Sequence, residues 1–113
     1  MQIGSFWKHC QRGTVYRILH HATLCQPVVS RDMDLCIVYQ DESNQIYVYP
    51  EELFEANPLQ NRISHILYHA TLQCSHPVDM EDCIVYEAVS DGEKWVRPTK
   101  EFHDRFIEQK NST

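Results

Sequence analysis

The stretch ILHHATL at residues 18–24 returns as ILYHATL at residues 66–72, 48 positions further along the chain. Two further blocks return in the same order: DMDLCIVYQ (32–40) as DMEDCIVYE (79–87), and IYVYPEELF (46–54) as KWVRPTKEF (94–102). The loops between the blocks differ in length by one residue, which is typical of a duplicated structural unit, because a bias in composition would not preserve the order. We therefore predict an internal duplication, with residues 1–56 as the first repeat unit and residues 57–113 as the second.

Each repeat unit is predicted to contain three strands and a short helix. In the first block apolar residues stand at every second position, over 16–24 and 66–72, which predicts a strand with one buried face. The second block is rich in β-branched and aromatic residues, and turn signals at 43–44 and 90–93 predict a hairpin to the third strand. The third strand ends in proline, and helices are predicted over PEELFEA (50–56) and PTKEFHDRFIEQ (98–109).

The repeat also predicts the fold class. A unit of three strands and one helix is only marginally stable alone, so the two units are expected to bury their apolar faces on each other. We predict a mainly β fold with short helices, in which two pseudo-symmetric SH3-like or β-meander units pack about a twofold axis into one compact domain. Two arrangements satisfy this pattern, a six-stranded barrel and a pair of SH3-like sheets.

Composition limits the class of protein. With 42% apolar and 23% charged residues the chain is globular, and its formal charge of −6 disfavours general binding of nucleic acid. It contains no apolar run of the ~20 residues that a membrane span needs, and MQIGSFWKHC lacks the apolar segment of a secretory signal. Five cysteines without a CxxC motif favour reduced, mostly buried thiols over a disulfide scaffold. We expect a cytoplasmic protein without a membrane or nucleic-acid partner.

The first strand of each unit offers a candidate ligand-binding pair. His21 and Thr23 are two residues apart and share a strand face, as do His69 and Thr71. Two such pairs could line a pocket, or the junction between the units, and hydrogen-bond a polar ligand such as a nucleotide or a carboxylate. The alternative interpretation is that they are solvent-facing strand residues, or histidines satisfied at the interface between the units.

The third strand of each unit offers a second candidate group. Trp95 and Arg97 share a face opposite Val96, and the first unit has Tyr47 and Tyr49 at the matching positions. These planar side chains could stack a base, and the arginine could pair with a phosphate; the second strands add two more aromatic residues, Tyr39 and Tyr86. The alternative is structural, because aromatic residues are common in strands and arginine often packs over tryptophan.

The sequence gives weaker support for a metal site or a catalytic site than for these binding groups. HATLQCSH contains three potential zinc ligands, His69, Cys74 and His76, but their spacing is not that of a zinc site and the first unit lacks the third ligand. A small Cys/His enzyme would use Cys25 or Cys74 with a histidine and Asp79, although no nucleophile elbow or phosphate loop is present. Cys36 and Cys83 lie in apolar strands and are predicted to be core residues. We expect neither a metal nor a cofactor.

The order of these elements resembles a known family. An aliphatic strand, a β-branched strand, a turn with glycine, and then W-V-R-P before a helix with phenylalanine is the pattern of the bacterial and phage domain of unknown function 1653, matched most closely by IVYEAVSDGEKWVRPTKEF (84–102). His9, Gly13 and Tyr16 resemble the front of its pattern. A typical member resembles one unit, whereas this chain carries two. The resemblance implies a compact β fold, and it carries no implication about activity, because the function of that family is itself unknown.

These observations predict a non-enzymatic binding module that holds a small polar or nucleotide-like ligand at sites formed by the two repeats. The phage membership of the resembling family adds a narrower form of this prediction, a counter-defence sponge that sequesters host signalling nucleotides. The first alternative is a protein-interaction adaptor or inhibitor of a host protein, and the second is the small Cys/His enzyme. Further assembly into a homo-oligomer through free strand edges is compatible with each of them.

Overall fold

The computed structural model describes residues 2–25, 33–55, 65–74 and 78–109, without the side chain of residue 55. Within these ranges the chain forms eight strands and two short helices, in the order β1 Phe6–His9, β2 Val15–Leu24, β3 Leu35–Gln40, β4 Ile46–Pro50, α1 Glu51–Glu55, β5 His65–Leu72, β6 Glu81–Ala88, β7 Lys94–Pro98, α2 Thr99–Arg105 and β8 Phe106–Gln109. The predicted mainly β class with short helices is confirmed. No helix of the described ranges is long and apolar enough to cross a membrane.

Six of the strands close into a barrel. They follow the order β4-β3-β5-β7-β6-β2, and a parallel pairing between β2 and β4 joins the two ends of the series. β1 continues the sheet beyond β2, and β8 pairs with β1. Of the two arrangements that the sequence allowed, the structure has the six-stranded barrel.

The same pairings occur in both halves of the barrel. β2 runs parallel to β4 through Thr23–Tyr47 and Leu24–Val48, and β5 runs parallel to β7 through residues 71–95 and 72–96, so all four partners differ by 48 positions. The strands therefore lie side by side in the order β2-β4-β3 in one half and β5-β7-β6 in the other. This is not the sequential order of a β-meander. The halves join by two antiparallel pairings, β2 with β6 and β3 with β5.

A β-bulge in β2, with a matching one in β5, places some side chains of the first block on a different face from the one that the sequence predicted. The pairing of β2 with β6 steps from Ile18–Tyr86 directly to His20–Val85, and β5 makes the matching step against β3 at Leu67. One extra residue reverses the face on which all later side chains lie. Ile18 consequently packs outside the barrel, whereas Ala22 and Leu24 point into it. The prediction of one continuous apolar face over 16–24 was wrong for this reason.

The barrel interior is the main core. Its members come from all six barrel strands and from Cys74, which follows β5; they are Ala22, Leu24, Cys36, Val38, Val48, Ala70, Leu72, Cys74, Cys83, Val85 and Val96. Cys36 and Cys83 are buried there, as the sequence predicted, and all five cysteines are free thiols. The predicted turns are also present, because Asn44 and Gly92 both have positive φ values at the hairpin tips.

The C-terminal helix is shorter than predicted. Helix α2 ends at Arg105, and residues 106–109, expected to continue it, form strand β8. The β1 strand supplies the reason, because it offers β8 a full antiparallel register from Phe6–Gln109 to His9–Phe106. Tertiary pairing thus overrides the helical pattern of the isolated segment.

Candidate functional site

The structure collects eight of the ten predicted site residues, all except His21 and His69, into two patches on the outside of the barrel. Thr23 lies beside Tyr47 in the β2–β4 pairing, and Thr71 lies beside Trp95 in the β5–β7 pairing. Each threonine therefore joins the aromatic group of its own half. The two patches are centred on strands from opposite halves of the barrel wall, so they are separate sites.

The two histidines of the repeated string do not come together. His21 and His69 are both exposed, and they lie on β2 and β5, which are three strands apart around the six-stranded ring. His69 Nε2 is 4.0 Å from Glu51 Oε1 at the start of α1, a distance for a weak ion pair when the imidazole is protonated. The structure thus places these histidines on opposite sides of the barrel and not in one pocket or at one junction.

The patch of the first half is an aromatic cluster under helix α1. We call it the first outer cluster, and its members are Ile37, Tyr39, Tyr47, Tyr49 and Phe54. Tyr39 stacks on Tyr47 with ring centroids 5.5 Å apart and meets Phe54 at 5.2 Å. Tyr39 and Phe54 are buried, whereas Tyr47 and Tyr49 remain partly exposed.

The patch of the second half is larger and more closed. This second outer cluster consists of Trp7, Tyr16, Ile18, Ile84, Tyr86, Ala88, Trp95, Phe102 and Phe106, with only Trp95 partly exposed. Strands β1 and β8 and helix α2 cover it, and the rings of Phe102 and Phe106 stack with centroids 4.1 Å apart. Four of the candidate residues of the sequence, Thr71, Tyr86, Trp95 and Arg97, therefore lie in or beside an enclosed apolar layer.

Arg97 is the unusual member of this layer. Only 7% of its surface is exposed, yet its hydrogen-bond acceptors are neutral: Nε donates to the Tyr86 hydroxyl at 3.2 Å, and Nη2 donates to the Gln73 side-chain carbonyl. The guanidinium also lies 5.6 Å above the Phe106 ring. Its interactions within the described chain include no carboxylate, since the ion pairs found there involve Arg17, His69 and Lys94.

The side chain of His9 links this arginine to a second group of charges. His9 is buried, and its ring meets the Phe106 ring at 5.0 Å. Its Nδ1 accepts hydrogen bonds from the backbone N–H groups of Gln11 at 3.3 Å and Arg12 at 3.1 Å. Burial lowers the pKa of His9, and the positive charges of Arg12, Arg97 and Arg105 lower it further. Three guanidinium groups therefore act on one neutral imidazole.

A small cleft opens beside His9. It has a volume of about 80 Å³ and is lined by His9, Cys10, Gln11, Asp104 and Arg105. The backbone N–H of Cys10 donates to the Arg105 carbonyl at 2.9 Å, which ties the β1–β2 turn to the end of α2. The sequence analysis did not select Arg12 or Arg105, because no local pattern relates residues so distant in the chain; of the residues that line the cleft, the family resemblance had indicated His9.

A third polar group is formed around His20 and Tyr68. His20 and Tyr68, which are matching positions of the repeat, are hydrogen-bonded through Nδ1 and the hydroxyl. Lys94 Nζ lies 5.5 Å from the Tyr68 ring centre and 3.4 Å from Glu87 Oε2, and Arg17 pairs with Glu87 at 2.6 Å. Burial lowers the pKa of His20 and raises that of Tyr68, so both side chains are neutral near pH 7. The polar groups of this cluster therefore have hydrogen-bond or ion-pair partners among themselves.

The barrel thiols are poorly suited to nucleophilic chemistry. Burial raises the pKa of Cys25 to about 11 and that of Cys36 to about 12, with Asp79 and Asp34 respectively adding to the effect. Cys83 is shifted upward for the same first reason. Because the thiolate is the reactive form, these side chains are inert at neutral pH.

No group of three or more His, Cys, Asp or Glu side chains in the described ranges is arranged to hold a metal ion. The zinc alternative of the sequence included His76, which lies outside those ranges.

The first half has a negatively charged cleft, in contrast to the arginine residues around His9 beside the second outer cluster. A cleft of about 250 Å³ at the start of α1 is lined by Asp34, Leu35, Pro50, Glu51 and Glu52. Three carboxylates in one cleft repel an anion, so the two faces of the barrel differ in the kind of ligand that they can attract.

Comparison with known proteins adds no relative. Searches of protein-family models, of curated proteins and of solved structures each found no match to this chain. The resemblance to the domain of unknown function 1653 therefore stays a prediction, and function has to be argued from the geometry of the site.

Proposed function

We propose that this protein is a non-enzymatic binding module that holds a small anionic, nucleotide-like ligand on its second half. The observation that carries the proposal is Arg97, a buried guanidinium whose partners in the described chain are neutral. Its sequence position was the candidate for phosphate pairing, and its surroundings now supply a physical reason for that role.

The energetic argument concerns the cost of an uncompensated charge. A buried ion is expensive unless it is paired, and effective penalties reach several kcal/mol in real proteins. The formal charge of −6 shows that carboxylates are plentiful in this chain, yet Arg97 is supported by an amide, a phenol and a ring. An external anion would provide the missing counter-charge and use N–H donors that these neutral partners leave over.

The second half is also the better place for a planar ligand. Trp95 remains partly exposed beside Thr71, so a base can stack on the indole while the hydroxyl offers a hydrogen bond. The first half has Tyr49 where Arg97 would stand and three carboxylates in its cleft. We therefore propose one anion site, in place of the two equivalent sites that the repeat suggested.

The binding role is preferred to the enzymatic alternative because burial raises the pKa of Cys25, one of the two candidate nucleophiles, to about 11, which keeps this thiol protonated at neutral pH. Tight binding without turnover is also what a sponge for signalling nucleotides requires, so the narrower proposal from the phage resemblance remains compatible with it.

A specific observation favours the adaptor as the second candidate function. In the described chain β8 pairs with β1 alone, which leaves one edge of a short strand open, and Ile107 on that strand is 60% exposed. Extended segments of a partner protein add to such edges. Capture of one specific host protein, without binding of any nucleotide, would select this function.

We also propose that the two halves are copies of one ancestral SH3-like unit. The matching registers and the bulges at Leu19 and Leu67 support it. Superposition of the backbone of residues 18–54 on residues 66–102 in an experimental structure tests it, and divergent strand paths would remove it.

Isothermal titration calorimetry with mono-, di- and cyclic nucleotides tests the binding proposal. Wild-type protein should bind at least one of them, and Arg97→Gln should weaken that binding by about 10- to 100-fold, the effect of one charge-assisted hydrogen-bonding group. Arg17→Gln is the matched control, because that arginine is partly exposed and already paired with Glu87. Circular dichroism verifies that each variant is folded. Absence of binding by the wild-type protein to every nucleotide, well above micromolar concentration, removes the proposal.

A further inference from the structure

We infer that one end of the barrel is a docking surface for a basic, amphipathic helical segment of a partner protein. The surface is an apolar patch with carboxylates around it, and the apolar residues are Met33, Leu35, Val78 and Met80. We call it the methionine end. It is separate from the anion site proposed at Arg97, because none of these four residues belongs to the second outer cluster.

The strand directions bring these residues to the same end of the barrel. Strands β2, β4, β5 and β7 run in one direction, and β3 and β6 run in the other. The last residues of β2 and β5 therefore meet the first residues of β3 and β6. The backbone N–H of Met33 donates to the Leu72 carbonyl, and that of Met80 donates to the Leu24 carbonyl, each at 2.7 Å. The two methionines thus stand on opposite sides of one barrel end.

The two methionines occupy matching positions of the repeat, in DMDL (32–35) and DMED (79–82). Met33 is 54% exposed and Met80 is 61% exposed, and both have a left-handed backbone, with φ values of 70° and 63°. That conformation is unfavourable for methionine and is adopted more readily by glycine or asparagine. Backbone geometry therefore opposes a methionine at both positions, and exposure limits what the side chain gains from packing. Contact with a partner supplies a reason for it.

The width of this end suits a single helix. Six strands spaced about 4.8 Å apart close into a ring roughly 9–13 Å wide, depending on their tilt. An α-helix with its side chains measures about 10–12 Å across, so one helix can lie over the ring and contact both methionines. Methionine side chains adapt to varied apolar surfaces, and the exposed side chains of Leu35 and Val78 extend the contact.

The charge of this end determines which kind of helix it can bind. The segments 33–35, 51–52 and 78–82 contain neither lysine nor arginine. Their six carboxylates belong to Asp34, Glu51, Glu52, Asp79, Glu81 and Asp82. Three of these line the cleft of about 250 Å³ beside Leu35. Lys100, in the first turn of α2, adds one positive charge at the same end, which leaves a large negative excess. A helix with one apolar face and flanking lysine or arginine residues complements this surface.

A synthetic peptide tests the inference by fluorescence anisotropy on the full chain. The probe is a peptide of about 14 residues, roughly four helical turns, with leucine at helical spacing and lysine at the other positions. One control peptide has glutamate in place of lysine, and the other has the composition of the probe with its leucines scattered. The wild-type protein should bind the probe at least about tenfold more tightly than either control.

Substitution of the methionines separates a binding role from a structural one. Met33→Asn and Met80→Asn should each weaken binding of the probe by about tenfold, because a buried apolar contact is lost. Each should leave the melting temperature unchanged or raise it, because asparagine tolerates the left-handed backbone. Val89→Asn is the matched control, since Val89 is 57% exposed and follows β6 at the other end of the barrel.

A charge reversal tests the carboxylates in the same way. Glu52→Lys should weaken binding of the probe by about two- to fivefold, the usual effect of one exposed ion pair. Glu93→Lys makes the same change of charge at the opposite end, just before β7, and should leave binding nearly unchanged at physiological salt. Equal losses in the two variants would show that the peptide responds only to the net charge of the protein, which overturns the inference.

The remaining outcomes also decide between alternatives. Binding of the probe that both methionine variants retain overturns the inference, and so does a scattered peptide that binds equally well. Self-association of the protein in analytical ultracentrifugation, lost in the methionine variants, would make a second copy the occupant and also overturn it. Peptide binding that requires both methionines, in a protein that binds no nucleotide, supports the inference and removes the proposed function. Nucleotide binding without peptide binding has the opposite meaning.

Discussion

The two outer clusters occupy matching positions on the two halves of the barrel, but only one of them has been enclosed. Ile37, Tyr39 and Phe54 in the first half correspond to Ile84, Tyr86 and Phe102 in the second. The second cluster gains Trp7 from β1 and Phe106 from β8, whereas the first cluster keeps two partly exposed tyrosines. The comparison teaches that the role of a repeated position depends on what covers it.

The two halves also differ in the residue at the centre of each cluster, which is charged in the second half alone. Tyr49 and Arg97 stand at the same position of the repeat, on the same outward face of the third strand. A partly exposed tyrosine in this place is ordinary, but a covered arginine needs a reason. Enclosure of the second half thus changes a surface position into one where a charge is costly and a bound anion is valuable.

We expect the largest loss of stability when either of the two buried phenylalanines is truncated. Phe102→Ala should lower the free energy of unfolding by about 4 kcal/mol and Phe54→Ala by about 3 kcal/mol, within the usual range for phenylalanine truncation. Both side chains are fully buried; Phe102 packs against the rings of Trp7, Tyr86 and Phe106, and the ring contacts of Phe54 include Tyr39 and Tyr49. Equilibrium urea unfolding measures both. A larger loss for Phe54→Ala would mean that the first half is the better packed one.

Exchanging the side chains of Tyr49 and Arg97 tests whether the second half is more enclosed than the first. Arg97→Tyr should cost about 1–3 kcal/mol, because the buried Tyr86 hydroxyl and the half-buried Gln73 carbonyl lose their hydrogen-bond donor. Tyr49→Arg should cost about 0.5–1.5 kcal/mol, the value of an aromatic pair, because the new charge reaches water. Urea unfolding of the two variants compares them directly. Equal costs would show that the first half is as closed as the second.

Acid should destabilise the enclosed half through His9. Its pKa is lowered by burial and by three arginines, so the unfolded chain takes up a proton near pH 6.5 while the folded chain resists it. Stability is therefore complete above that pH and declines as the pH falls below it. His20 contributes in the same direction through burial.

The measurement is urea unfolding at several pH values between about 7.5 and 5. His9→Gln should reduce the loss of stability on acidification, because the variant has no imidazole to protonate beside Arg12, Arg97 and Arg105. His20→Gln gives the matched comparison at the barrel end. A slope that His9→Gln leaves unchanged would remove His9 from the account.

The smallest effect is expected at the charged end of the barrel. Glu87 accepts both Arg17 and Lys94, whereas the matching residue of the first half is Gln40 and the position of Lys94 is taken by Ile46. Glu87→Gln should cost about 0–1 kcal/mol, and salt should remove the difference, because the pairs are partly exposed. Gln40→Glu is the control and should stabilise nothing. Thermal unfolding at low and high salt distinguishes these outcomes.

The sequence predicted the parts of this fold that depend on local pattern. The strands of all three blocks, the turns at Asn44 and Gly92, and the helix starts after Pro50 and Pro98 are confirmed. The sequence also predicted that Val96 faces away from Trp95 and Arg97, and the barrel interior indeed contains Val96. Each of these rests on neighbours within a few residues.

The parts that the sequence missed depend on distant partners. The bulges at Leu19 and Leu67 arise from pairing with the opposite half, so a period of two could not reveal them. Residues 106–109 follow a helical pattern and become a strand because β1 lies ready to pair with them. The cleft between Gln11 and Arg105 likewise exists only after these two segments meet.

The way in which the halves join has a consequence for synthesis on the ribosome. In the first half alone β2, β4 and β3 can pair with one another, but the far edges of β2 and β3 find their partners only in β6 and β5. A nascent chain that has reached residue 60 therefore displays two open strand edges, the form most prone to aggregation. Rapid translation of the second half, or a chaperone held on the first, would shorten that exposure.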